Sequence, residues 1–414
     1  MKSNVLAVSV EKAQKIMSEW VRPVQGTEVI PIREALFRVL AEEVTSPVDV
    51  PSSDNAAMDG YAFSAIGLDL TVERTLKMVG TVYAGQLFES PLSPGECVKV
   101  MTGVLMPAGS DTVVQHENVT EKDGHVTIIP NGASPGINVR RQGEDVKAGS
   151  TVLTEGVLLK PAHLGLLASV GLDTVRVRRR LKVAVFSTGD ELSSVGEALV
   201  PGHLYDSNRY SLDAMLRRIG CEIMDMGIVR DNPLAIRAAF SKAAKEADAI
   251  ITTGGISVGE ADYTKAVLAE LGEMAFWNIN MRPGRPFAFG RIVPDSKEVA
   301  VFGLPGNPVA VMLSFYFLVR NALFHMMGTR PPLLFRMRVK TLSPLSKRLG
   351  RTEFQRGILA PDEHGNWVVR TTGDQGSAIL SSMVHANCII ILPAEGVAVS
   401  PGETVEVVPL DGLI

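Results

Sequence analysis

The stretch DAIITTGGISVGEADYTK at 248–265 carries two glycines, Gly254 and Gly255, at the end of an apolar run. Ser257, Glu260 and Asp262 follow, ahead of a helix-like segment. Glycines at a strand end let the backbone approach an anion, and free N–H groups at the next helix start attract it. Carboxylates in the same place repel an anion unless a divalent cation lies between. Magnesium fits that role, because it takes one or two carboxylates together with phosphate oxygens. The combination recurs along the chain. Ser187, Thr188 and Gly189 precede Asp190 and Glu191 after the run VAVF, Asp231 follows EIMDMGIV, and Pro305 and Gly306 follow VAVFGL. Acids near a helix start are also favoured by the helix dipole, so capping and metal binding are equal readings for any single acid. Five acids on one predicted edge, Asp190, Glu191, Asp231, Glu260 and Asp262, favour a metal-assisted phosphate site. The spacings GxxxxGK[ST] and GxGxxG are absent, which argues against a P-loop NTPase and a dinucleotide-binding fold.

Cations that could meet an anion are also visible. MRPGRP sets Arg282 and Arg285 around a Pro-Gly turn, where guanidinium groups can fork onto oxyanions; a solvated turn is the plainer reading. Arg356 in EFQRG lies in a strand-like segment, and Ser377 follows DQG in a loop. Upstream, SSDNAAMDGYAF gathers Asp54, Asn55, Asp59 and Tyr61, and RRQGEDV gathers Arg140, Arg141, Glu144 and Asp145. Neither segment has helical or strand periodicity, so each is a simple turn or a ligand-contacting loop.

These residues need a scaffold, and the chain's texture supplies one. SVEKAQKIMSEW puts Ala13, Ile16, Met17 and Trp20 on one helical face, with Ser9 as N-cap. Residues 46–146 mix Pro, Gly, Val and Thr in short alternating runs, as a β-rich region does. From 181 to 328, apolar strand runs alternate with amphipathic helices, two of which open on Asn-Pro, at Asn232 and Asn307. That alternation predicts a mostly parallel sheet with helices on both faces. In such sheets ligands bind outside the carboxyl ends of the strands, where the glycine and acid loops fall. Past 329 the pattern is short strands again, suited to a small barrel or sandwich. Residues 1–45 and 147–180 read as a helical, linking N-terminal domain around 46–146, followed by 181–328 and 329–414.

Composition sets outer bounds. The chain has 414 residues, 46% hydrophobic and 21% charged, enough for several buried cores. A net charge of −4 gives no bulk attraction to nucleic acid or to an anionic membrane, so any anion site must be local. The N-terminal apolar run is too brief for a signal peptide, and VAVMLSFYFLV at 309–319 reads as a buried helix too short to span a bilayer. Cys97, Cys221 and Cys388 show no paired spacing, which suits a reducing cytoplasm.

The segments DNAAMDGYA, RRQGEDV, STGDEL, TTGGISVGEADYTK, MRPGRPFAFG, LPGNPVA and EFQRG resemble, in order, those of the molybdopterin molybdenumtransferases, the family of bacterial MoeA and the gephyrin E-domain. The resemblance spans nearly the whole chain. It implies a multidomain fold of α/β plus β-rich domains: an N-terminal β-rich region, a central molybdopterin-binding, MogA-like sheet domain and a small C-terminal β-barrel. It implies insertion of molybdate into adenylylated molybdopterin, with magnesium-dependent release of AMP and of molybdenum cofactor. Asp59, Glu191, Asp231 and Asp262 would be catalytic, and Asp190, Glu191, Asp231 and Asp262 would hold Mg2+. Thr102, the glycine-loop residues, Arg282, Arg285, Arg356 and Ser377 would bind substrate. A homodimer is implied, with the partner chain bringing its β-domain to the cleft, and a molybdopterin adenylyltransferase as a further partner. MRPGRP departs from the KPGKP form common in that family: positive charge is kept, but a lysine-specific role is not. A nucleotide pyrophosphatase sharing only the α/β domain, and a non-catalytic scaffold or cofactor carrier, stand as alternatives.

Overall fold

Near-continuous apolar runs such as KVAVFST, AIITT and VAVFGL form strands buried on both faces, which a parallel sheet covered by helices requires. The structure is a computed structural model, and it describes residues 7–255, 263–294 and 297–414. The chain divides into two units. One comprises Met1–Glu28, Phe37–Val39 and Val177–Ile414, the other Val29–Leu36 and Leu40–Arg176.

The first unit is built on a six-stranded sheet: β1 (Lys182–Thr188), β2 (Glu222–Val229), β3 (Ala249–Thr253), β4 (Gly272–Asn278), β5 (Pro286–Ile292) and β6 (Val299–Leu304). The order is β2-β1-β3-β6-β5-β4. The first four strands in that order are parallel, and β5 and β4 continue antiparallel. The sheet is thus mostly parallel, as the alternation predicts. β4 follows helix Tyr263–Leu271 directly, and its sequence GEMAFWN lacks the branched run that marks β1, β3 and β6. Phe186 of β1 meets Phe240 of helix Pro233–Glu246 edge to face, at 5.1 Å between ring centres, in a core that includes Ile250 and Val301.

The Asn-Pro reading holds in full at Asn232, whose side chain accepts from the Ala235 N–H at 2.9 Å. At Asn307 only the proline half holds: Pro308 starts the helix, but the Asn307 side chain makes no cap. That helix is longer than its apolar run suggests. Pro308–Met326 is apolar and long enough to cross a membrane by length and composition, yet most of it is buried within the unit, and it contains a π-turn at Phe315–Val319.

The C-terminal strands Met337–Thr341, Thr352–Pro361, Trp367–Thr371, Cys388–Leu392 and Thr404–Pro409 close on themselves, because Thr352–Pro361 pairs with both Trp367–Thr371 and Cys388–Leu392. Closure decides for a barrel over a sandwich, with Val339, Val369, Ile390 and Val407 inside. Met281–Arg282 adds to this barrel in parallel, with Met281 opposite Thr352 and Arg282 opposite Glu353.

Helix Val10–Trp20 is capped by Ser9 and buries Ala13 and Met17. Its partners are in the first unit, whereas the expected N-terminal domain groups it with 147–180: Gln14 donates to the Phe317 carbonyl, and Trp20 packs on Phe289 and under Arg291. The second unit centres on a mixed six-stranded sheet between Gly60 and Ile128, with Phe63, Cys97 and Val114 in its core.

Met17 is 1% exposed, so Met17→Ala leaves a cavity costing about 2–5 kcal/mol. Denaturant unfolding should show the loss in the transition of the α/β core.

Candidate active site

The carboxyl ends of β1, β3 and β6 fall in register, with Ser187 opposite Thr253 and Thr253 opposite Leu304. Their loops therefore start side by side, and the Gly254 N–H donates to the Leu304 carbonyl at 3.2 Å. Gly254 has φ +80°, and a Cβ there would lie 2.2 Å from the Thr188 carbonyl oxygen. Only glycine allows that approach. Beyond these loops opens a cleft of about 740 Å³. The α/β domain contributes Glu191, Gly254, Gly255, Pro305, Gly306 and Asn307, together with the turn Met281–Pro286. The barrel contributes Arg351 and the loop Gln375–Ser377.

The acids lie close to one another. The Asp231 N–H donates to an Asp190 carboxylate oxygen at 3.3 Å, and the Arg230 guanidinium lies 3.9 Å from the same carboxylate. Burial, and then the charges of Asp190 and Glu191, push the Asp231 carboxyl above its ordinary value. Glu191 folds its carboxylate back over Gly189. Among the described residues, no three His, Cys, Asp or Glu side chains are grouped as a metal site, so the trio Asp190, Glu191 and Asp231 does not form one by itself. Ser257, Glu260 and Asp262 lie outside the described residues.

The cations are placed differently from one another. Arg282 pairs with Glu353 at 3.3 Å, and that carboxylate is nearly buried. Arg285 is exposed in the lining. Arg351 lines the same cleft and was not anticipated: the run KRLGR before EFQRG looks like any solvated basic turn. Burial, and then repulsion from Arg285, Arg282 and Arg348, lower its pKa. Asn307 and Gln375 also join the lining without a sequence signal.

Three expected substrate-binding side chains turn inward instead. Ser187 and Thr188 are buried, and their hydroxyls bond to Thr253. They tie strand ends together, because short hydroxyls at the end of a covered sheet find backbone and neighbours before solvent. Arg356 is fully buried. Its guanidinium donates to the Ser382 hydroxyl and to the carbonyls of Asp374, Gln375 and Gly376, at 2.9–3.3 Å. Burial pulls its pKa down to about 10. Arg356 thus shapes the loop that presents Ser377, whose carbonyl accepts from Val309 N–H at 3.2 Å. That barrel loop belongs to the same chain as Gly254. Asp59 and Thr102 stand in the second unit, where the Asp59 carboxylate accepts from the Thr102 N–H and hydroxyl at 2.7 and 2.8 Å.

Comparison with known proteins agrees along the whole chain. The MoeA N-terminal region (domains I and II) matches residues 8–171, a probable molybdopterin binding domain matches 184–325, and the MoeA C-terminal region (domain IV) matches 338–410. A molybdopterin molybdenumtransferase of Haemophilus influenzae is 42% identical, over 98% of this chain and 100% of that one. The chain belongs to the molybdopterin molybdenumtransferase family. A Nostoc molybdopterin molybdenumtransferase is 34% identical over 93% of this chain and 89% of its own length. The crystal structure of a molybdopterin biosynthesis MoeA protein from Pyrococcus horikoshii superposes with a TM-score of 0.83 at 28% identity, covering 98% of this chain and 100% of that one. For this molybdenumtransferase family member, the cleft between sheet loops and barrel is the natural place to look for chemistry.

Two outcomes follow. Arg356→Gln should cost about 3 kcal/mol, because buried carbonyls lose a charged donor, and should speed hydrogen exchange at 373–377. The raised Asp231 carboxyl means that the folded state holds this proton better than the unfolded chain, whose carboxyl titrates near 3.8. Ionisation therefore costs stability as pH rises from that value through the raised one. Asp231→Asn should melt above the wild type at pH 7, with the gap closing toward pH 4.

Proposed function

We propose that this protein inserts molybdate into adenylylated molybdopterin, breaking the pyrophosphate bond and releasing AMP and molybdenum cofactor. The observation that carries this reading is the lining of one cleft by glycine loops, a carboxylate and guanidinium groups together. An adenylylated pterin brings phosphates, which suit the backbone around Gly254, Gly255 and Gly306. Molybdate is a tetrahedral dianion, which suits Arg282 and Arg285. The names carried by the relatives support the same activity.

The acids fit magnesium by their chemistry. Their oxygens are hard donors, and the like charges that raise the Asp231 carboxyl are what a divalent cation would relieve. Glu191, Asp231 and Asp190 would hold it together with Asp262, the fourth ligand that the family resemblance implies. Bound there, magnesium would neutralise charge on the phosphate oxygens. The protein's own residues do the rest. Glycine backbone cradles the phosphates, the arginines orient the oxyanion, and the Arg356-supported loop closes the barrel side. Asp59 and Thr102 are proposed as further contacts. A homodimer, with substrate supplied by a molybdopterin adenylyltransferase, completes the reading.

AMP release from adenylylated molybdopterin should require both magnesium and molybdate. Glu191→Gln should lower it by about 100-fold, the scale of losing one preorganised charge in a site. Asp262→Asn should behave similarly, while both variants still bind the substrate. AMP release indifferent to molybdate would falsify the transferase reading and leave a pyrophosphatase.

A further inference from the structure

We propose that a second small-molecule site lies at the amino ends of the sheet strands, a pocket for a flat aromatic anion. Asp248 directly precedes β3, Lys297 and Glu298 precede β6, and the Lys182 N–H at the start of β1 donates to the Asp248 carboxylate at 3.0 Å. The length of β3 separates this end from the glycine loops by roughly 16 Å, at about 3.3 Å per residue. A cavity of about 460 Å³ opens here, a size that suits a small molecule. The segment after helix Val10–Trp20 forms one wall. Its Val24 N–H donates to the Met326 carbonyl and its Gln25 carbonyl accepts from Arg179, both at 2.8 Å, so the wall is fixed before any ligand arrives. Phe289 and Met326 are buried in the lining, with half-buried Trp20 beside them.

The charges of the lining set the sign of the ligand. Arg22, Arg179, Arg291 and Lys297 all line the cavity. Asp248 serves two of them at once: Arg179 forks onto it at 2.6 and 2.8 Å, and the Lys297 ammonium lies 3.7 Å away. Arg291 pairs with Glu273 and Glu298, each at 2.9 Å. Among the described residues Arg22 makes no ion pair, and its guanidinium donates only to the Glu19 and Val21 carbonyls. Three carboxylates thus answer four cations, and an anion would answer the fourth. The rings of Trp20 and Phe289 suit a flat apolar body, and a guanidinium forks onto a carboxylate. An aromatic carboxylate combines the two.

The test is titration of the full chain with 2-naphthoate and with its neutral amide, 2-naphthamide, followed by the indole N–H resonances of isotopically labelled protein. The chain has three tryptophans, and of these only Trp20 lines the cavity. Its signal should shift saturably, with those of Trp277 and Trp367 unmoved and a Kd of about 1 mM or tighter, as a ligand of this size allows. The amide should bind roughly tenfold more weakly, the scale of one charge-assisted contact. Arg22→Gln should remove most of that margin and leave amide binding unchanged, while Arg22→Lys should keep part of it. Arg22 is exposed, so both variants should melt with the wild type. Saturating molybdate should leave the naphthoate Kd unchanged, because the cleft lies at the other end of the strands. Shifts of all three indole signals, equal affinity for the two probes, an Arg22→Gln variant that binds naphthoate as the wild type does, or displacement by molybdate would each overturn the inference. So would failure of the wild type to bind naphthoate, and none of these results bears on the reading of the cleft.

Discussion

Two residues of parallel pairing, Met281 and Arg282 against Thr352 and Glu353, hold the candidate site together. This short ladder ties the edge of the barrel to the turn that leads into β5. It brings arginines from segments 71 residues apart in sequence to the same cleft. The glycine loops reach that cleft for a separate reason, the shared register of β1, β3 and β6. Without the ladder, each half would present part of an anion site and neither would present all of it.

The electrostatics follow from this joining. One nearly buried carboxylate, Glu353, is spent on Arg282 and on backbone and amide donors, which makes the desolvated charge tolerable. Among the described residues, Arg285 and Arg351 make no ion pair beside it. Across the strand ends, the crowded acids near Asp231 carry the reverse imbalance. A substrate with phosphates and an oxyanion, together with a divalent cation, would cancel both excesses. That complementarity relates the site to the chemistry of its family more closely than any single residue does.

Beneath the lining, residue type and residue placement part ways. Ser187, Thr188 and Arg356 have side chains suited to phosphate, yet each is buried and hydrogen-bonded within the protein. A hydroxyl or guanidinium in a buried position must be satisfied internally, so burial converts a ligand-type residue into a brace. Arg351 is the converse, a residue without a motif-level signal that lines the cleft. Asn307 shows the same exchange at smaller scale, reading as a cap and lining the cleft instead.

The sequence by itself determined what is local. Branched apolar runs dictated β1, β3 and β6, glycines dictated the close turn at Gly254, and Asn-Pro dictated where helices begin. Family motifs, being contiguous, were legible for the same reason. Strand β4 escaped because GEMAFWN carries neither clear period nor punctuation; the strand pattern alone left barrel and sandwich open, because pairing of distant strands leaves no mark within either one, and the family resemblance supplied the barrel. Only the tertiary structure decided which arginine braces a loop and which faces the cleft. That choice depends on burial and on where the charge partners fall, and a guanidinium group carries neither in its own identity.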